Sequence, residues 1–391
     1  MRSFSDDLDP LHAASLHRTL RLLDSPQLPV VRSEGRELLN FSSNDYLGFA
    51  SASAVREAFK RGIDQHGAGS GASRLVCGTQ RPHAELEAAL AHLKKTQAAL
   101  TFSSGYAAAV GCLPALCGPD DFIILDKLVH ASLIDGARLS GATIRVFPHN
   151  HLEKLEHLLQ WARSKATAAS RVLVVSESVF SMDGDWAELW DIVRLKETYG
   201  ALLLVDEAHA FGIMGPQGRG LAAKLGISSR IDIHMGTLSK AAGLSGAYLC
   251  GSRELTDLLI NRARSFIYST APSPALAAAA LEVVGLLLPG AYGEERRSRL
   301  WGNLALLTEA LEGRISEPSS AIVPLIIGAE DGALRLSRRL EEEGILIPAI
   351  RFPTVARGKA RLRLTMTAIH TEDQIRQLAA TLLPLLPPSP V

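Results

Sequence analysis

Lys240 stands in "TLSKAAGLSG", a single basic side chain among small uncharged residues. A strongly hydrated ammonium is seldom set among Ala, Gly and Ser without a partner or a task. Alone, the stretch also fits a surface lysine on a flexible loop. Asp206 sits in a different run, "LLLVDEAHAFG", directly behind apolar residues and shortly ahead of His209. A carboxylate at the end of a buried strand is costly unless it faces a cation or caps a helix. A pyridinium nitrogen is one such cation. An amine for a Schiff base, together with an acid that keeps a ring nitrogen protonated, is what pyridoxal 5'-phosphate requires. Small neighbours would desolvate Lys240, lower its proton affinity and leave room for a flat ring.

The same cofactor needs donors for its phosphate. "TFSSGYAAA" (101–109) reads as an apolar strand, a Ser-Ser-Gly turn and an Ala-rich helix. Free N–H groups at a helix start bind anions, and Gly105 lets one approach closely. His130 opens a helical segment in "VHASLIDG", where a flat imidazole could stack on a ring and take part in proton transfer. A lone histidine in such a place is as well explained as a helix cap. The glycine-rich "HGAGSGASRLVCGT" (66–79) lacks the preceding strand of a dinucleotide site and reads as a tight loop close to substrate.

These residues must be held by something. Short, wholly apolar runs at 98–102, 122–126, 171–178, 201–209 and 246–251, with "IDIHMG" before Lys240, alternate with helical patterns such as "HAELEAALAHLKK" and "ELWDIVRLKETYG". That alternation predicts an α/β fold whose mainly parallel sheet is covered by helices on both faces. Ligands bind beyond the carboxyl ends of such strands, so Ser103–Ser104, Asp126, Ser176–Glu177, Asp206 and His209 are expected along one rim. After about residue 285 the pattern changes to an amphipathic helix and the strand-like runs "AIVPLIIG" and "RLRLTMT". The expected division is a large domain over 46–285 and a smaller α/β domain over 286–391, with residues 1–45 packing on the latter. "RGKARLR" (357–363) reads as a solvated strand end, and the Pro-rich tail "LLPPSPV" as frayed.

Composition removes other function classes. Lys plus Arg and Asp plus Glu both number 41, so no net field recruits nucleic acid or an acidic membrane. The four cysteines form no zinc-type spacing, so no metal is expected, and scattered thiols suit a reducing cytoplasm. The acidic start "MRSFSDDLDP" has no apolar core of a signal peptide. "PALAAAALEVVGLLLPG" is too short to span a bilayer and reads as a buried helix.

Taken in order, "NFSSNDYLGF", "GSGASRLVCGT", "SSGYAA", "HASLIDGARLSGA", "ESVFSMDGD", "VDEAHAFGIMGPQGRG", "GTLSKAAG", "IYSTAPSP" and "AIRFPTVARGKARLRLTMTAIH" resemble the α-oxoamine synthases over nearly the whole chain. These are pyridoxal-phosphate enzymes of the aspartate-aminotransferase fold, fold type I. The resemblance implies a seven-stranded, mainly parallel sheet in the large domain. It also implies decarboxylative condensation of an amino acid with an acyl thioester.

Position by position, the resemblance implies that Lys240 carries the cofactor. Asp206 would meet the pyridine nitrogen, His209 would lie near the ring hydroxyl, and His130 would stack on the ring. Gly105 and Tyr106 would donate to the phosphate; Ser181 and Thr237 would contact the cofactor. Ser269 and Thr270 would reach the phosphate of a partner subunit, which implies a homodimer. Arg351 would clamp the amino-acid carboxylate, with Arg18, Asn44, His130 and Thr354 as further substrate contacts. Ala72–Ser73 and the "AIR" triplet favour L-alanine and a pimeloyl thioester, carried by CoA or an acyl carrier protein, over the glycine used by other members. A non-catalytic family subunit is the remote alternative. Three positions depart from the family pattern: Tyr106 replaces a usual Phe, Cys77 a common Ser, and Phe352 the first residue of a usual Pro-Pro.

Overall fold

The computed structural model describes residues 3–14, 16–288 and 292–386 of the 391-residue chain. The expectation for the tail at 387–391 lies outside the described residues, as do positions 289–290 of the apolar run. Two compact units form. One comprises residues 1–44, 182–184 and 299–391, the other residues 45–181 and 185–298.

In the first unit, β1 (Val30–Ser33) and β2 (Arg36–Asn40) pair antiparallel, and β11 (Ile345–Leu346) adds to β2 in parallel. A second sheet sets β13 (Ala360–Thr365) between β10 (Ile322–Gly328) and β12 (Ala349–Ile350). Here one expectation is overturned. "RGKARLR" is not a solvated strand end from Arg361 onward, because β13 is the central strand and is buried along its length. Arg361 Nη1 donates to Asp183 Oδ1 at 2.6 Å and to the Met182 carbonyl at 2.9 Å. Arg363 donates to Asn44 Oδ1 at 3.1 Å and to Thr365 Oγ1 at 3.0 Å. Buried guanidiniums keep their charge only with such partners.

The second unit is built on a seven-stranded sheet: β3 (Ala98–Phe102), β4 (Phe122–Asp126), β5 (Thr143–Phe147), β6 (Val172–Glu177), β7 (Leu202–Asp206), β8 (Ile233–Thr237) and β9 (Ala247–Gly251). Their spatial order is β3-β9-β8-β7-β6-β4-β5, and β9 alone runs against the rest. β4 and β6 are buried at every residue because helices cover both faces. That is why the strands read as unbroken apolar runs rather than alternating ones. β5 gave no such run: it is the edge strand, and Arg145 and Val146 are exposed.

Leu100, Phe102, Ile123, Leu125, Leu173, Val175, Leu204, Ile233, Met235 and Leu249 form one face of the core with the helices Gly105–Leu116, Ala131–Ser140 and Arg253–Arg262. The helix Pro274–Leu287 buries eight of its residues, as expected of "PALAAAALEVVGLLLPG". Among the described residues no single helix is long and apolar enough to cross a membrane.

Candidate active site

Period-two alternation decides which side chains meet. Leu173, Val175, Leu204, Ile233 and Met235 belong to one face of the sheet, so the residues closing these strands, Glu177, Asp206 and Thr237, lie on that same face. β6 and β7 pair Glu177 directly opposite Asp206. Each is buried, 3% and 6% exposed, and two acids side by side with little water cannot both ionise easily. Burial pushes the Asp206 carboxyl up, while the Lys240 charge and the Ala208 N–H, 2.9 Å from Oδ1, pull it back. Burial and then the Asp206 charge drive Glu177 up as well. Glu177 also accepts the backbone N–H of His130.

Glu207 projects to the other face. Its carboxylate accepts from Lys94 and from the Ala222 N–H at 3.0 Å, and His234 Nδ1 lies 3.4 Å away. Burial works to raise its pKa, but Lys94 and His234 outweigh that and hold it at about 2.

Lys240 follows β8 in a tight turn that Thr237 organises. Thr237 Oγ1 donates to the Gly246 carbonyl at 2.9 Å and accepts the Ser239 N–H at 3.1 Å. The half-buried Lys240 places Nζ 2.6 Å from His209 Nε2, and the opposite ring nitrogen, Nδ1, is 2.6 Å from Tyr46 Oη. His130 is the N-cap of the helix Ala131–Ser140: its Nδ1 accepts the Ser132 N–H at 3.2 Å, which leaves the proton of the neutral ring on Nε2. His130 is an exposed residue, yet desolvation of its ring, then the charge of Lys240, lowers its pKa.

At the start of the helix Gly105–Leu116, Ser104 caps the Ala107 N–H at 3.1 Å. The first N–H groups of any helix lack an internal acceptor. A Cβ built at Gly105 would meet only the Met235 Cε, at 3.9 Å, so an anion can approach this backbone. An amine, a buried acid on the next strand and an open helix start fit an aromatic aldehyde with a ring nitrogen and a phosphate. Tyr106 is exposed and donates to Asp135 Oδ2 at 2.8 Å. Ser181 is half-buried in the turn after β6. Thr270 bridges to Ser73, and Ser269 beside it is half-buried.

The other unit gathers the remaining candidates. Arg18 Nη2 donates to Thr354 Oγ1 at 3.3 Å. Burial, then the charges of Arg18 and Arg338, lowers the Arg351 pKa, so these guanidiniums are neighbours. Asn44 receives Arg363. Sequence reasoning missed Tyr46, one of two aromatics in "NDYLGF", and His149, which bridges Asp126 at 3.2 Å and Asp185 at 2.7 Å. Burial works against its charge, but the two carboxylates raise it to about 10. Neither residue stands in a spacing that distinguishes it from an ordinary core side chain.

The chain belongs to the aminotransferase class I and II family, whose model matches residues 36–382. Within that family it groups with the α-oxoamine synthases. It is 46% identical over 380 residues to the 8-amino-7-oxononanoate synthase of Pelobacter propionicus, covering 96% of this chain and 95% of the relative. Among solved structures it is similar to the serine palmitoyltransferase of S. paucimobilis with PLP and myriocin bound, at 28% identity and a TM-score of 0.89 over 98% of both chains. It is also similar to the 8-amino-7-oxononanoate synthase of Francisella tularensis, at 30% identity and a TM-score of 0.74 over 88% of this chain and 96% of the other.

Proposed function

We infer that the chain is a pyridoxal-phosphate-dependent acyltransferase with 8-amino-7-oxononanoate synthase activity. It condenses L-alanine with a pimeloyl thioester and releases CO2 and the thiol, a step of biotin biosynthesis. The observation that carries this reading is Lys240, its amine held by His209 on a rim that also bears the buried Asp206. Identity of 46% along nearly the whole chain supports the particular activity. The two solved structures of the family do not separate substrates, since the serine-using enzyme superposes over more of the chain.

Bound pyridoxal 5'-phosphate supplies an electron sink for the bond broken at the amino acid's Cα. Lys240 would hold its aldehyde carbon and, once released by substrate, take the Cα proton on Nζ. Asp206 would keep the ring nitrogen protonated. Gly105 and Tyr106 would bind the phosphate through backbone N–H groups, with Ser181 and Thr237 as hydroxyl contacts and His209 beside the ring. His130, neutral and with its proton on Nε2, would stack on the ring and donate a hydrogen bond during condensation. Arg351 would clamp the alanine carboxylate and fix which Cα bond is broken, helped by Arg18, Asn44 and Thr354.

Ser269 and Thr270 would serve the phosphate of a second copy, making a homodimer the working unit. Leu75, Val76 and Tyr268, exposed at 52%, 78% and 72%, support an apolar contact beside them. The thioester carrier would be CoA or an acyl carrier protein. Free buried Cys112, Cys117 and Cys250 suit a cytoplasmic location.

A thiol-release assay tests the reading by crossing alanine, glycine and serine with pimeloyl, succinyl, acetyl and palmitoyl thioesters. Alanine with pimeloyl is expected to lead. A glycine preference would instead assign 2-amino-3-ketobutyrate ligase or 5-aminolevulinate synthase activity.

A further inference from the structure

Tyr46 is fully buried, and nothing above requires its hydroxyl. A Phe would fill the same space, so packing alone does not account for the oxygen. We propose that Tyr46 is a positioning residue for the Lys240 amine, acting through His209: its Oη, 2.6 Å from Nδ1, keeps Nε2 turned toward Nζ, also at 2.6 Å. All three groups belong to one compact unit.

The protons follow from the donor inventory. A Lys240 ammonium has no lone pair, so His209 Nε2 accepts from it. Nδ1 then carries the ring proton and donates to Tyr46 Oη. That bond polarises the imidazole and strengthens Nε2 as an acceptor. A hydrogen bond to the charged form favours that form. Tyr46 therefore raises the pH at which Lys240 releases its proton, against the influence of its apolar surroundings. Asp206, Glu177 and His130 are among the titratable groups coupled electrostatically to this amine.

The inference rests on Lys240 being the cofactor-bearing amine, but its test needs no cofactor. Trace labelling of the full-length, cofactor-free chain with acetic anhydride across pH, read by mass spectrometry on the Lys240 peptide, gives the midpoint of amine release. Tyr46→Phe is expected to lower that midpoint by about half a unit or more. His209→Ala should lower it too, and Tyr46→Phe added to His209→Ala should change nothing further. An unchanged midpoint in Tyr46→Phe, or an equal shift when His209 is already absent, would overturn the proposal.

Nitrogen-15 spectra of the His209 ring in the unaltered chain give an independent reading that does not depend on any variant folding. Protonated Nδ1 is expected, and protonated Nε2 would contradict it. Failure of the cofactor reading shows separately, as no pyridoxyl group on Lys240.

Discussion

Asp206 and Glu207 are adjacent in the chain, equally acidic and both buried, yet they do opposite work. Glu207 meets Lys94 and His234 and is held ionised at about 2. Asp206 faces Glu177 across the strand pair, and burial raises its pKa. The chain has supplied counter-ions where the acid only has to hold the fold. It has left Asp206 under-compensated, and in the function proposed above that is where a cationic ring would arrive. A carboxylate that costs the apo fold stability is the more informative sign of a site.

Asp206→Asn is expected to lower turnover on the order of a thousandfold. Its urea midpoint should stay level or rise, because a group raised in the fold destabilises it whenever ionised. A large loss of stability would erase the contrast. Glu207→Gln should behave in the reverse sense, losing about 3 kcal/mol or more of folding stability as Lys94 is left buried with a weaker partner. Denaturant titration at pH 7 reads both variants.

His149 extends the structural side of the comparison. Its pKa is raised from 6.5 to about 10, so its contribution is fully present below pH 6.5 and is lost as pH rises through 10. Over that window the chain should lose on the order of 2 kcal/mol that a His149→Gln variant does not lose. Tyr106→Phe has the smallest effect. The exposed, solvent-screened bond to Asp135 adds little to stability, and turnover should be nearly unchanged. A large drop would show that the departure from the family's phenylalanine carries chemistry.

Legibility in the sequence followed burial. β3 and β4 matched their apolar runs end to end, because both faces of the sheet are covered. β5 did not, because an edge strand need not be apolar. Lys240, Asp206 and His209 were visible as charged or polar residues breaking apolar or small-residue stretches. Tyr46 and His149 were not, since each acts through long-range contacts that leave no local periodicity. Arg361 and Arg363 were misplaced for a related reason. A basic run reads as solvated until Asp183 and Asn44 arrive from distant segments.

The most direct test of the central claim is borohydride reduction of the full-length chain after loading with pyridoxal 5'-phosphate, followed by peptide mapping. The account requires a yellow protein that bleaches on reduction and carries one pyridoxyl group per chain, on Lys240. A chain that stays colourless, or a group on another lysine with Lys240 unmodified, would contradict it.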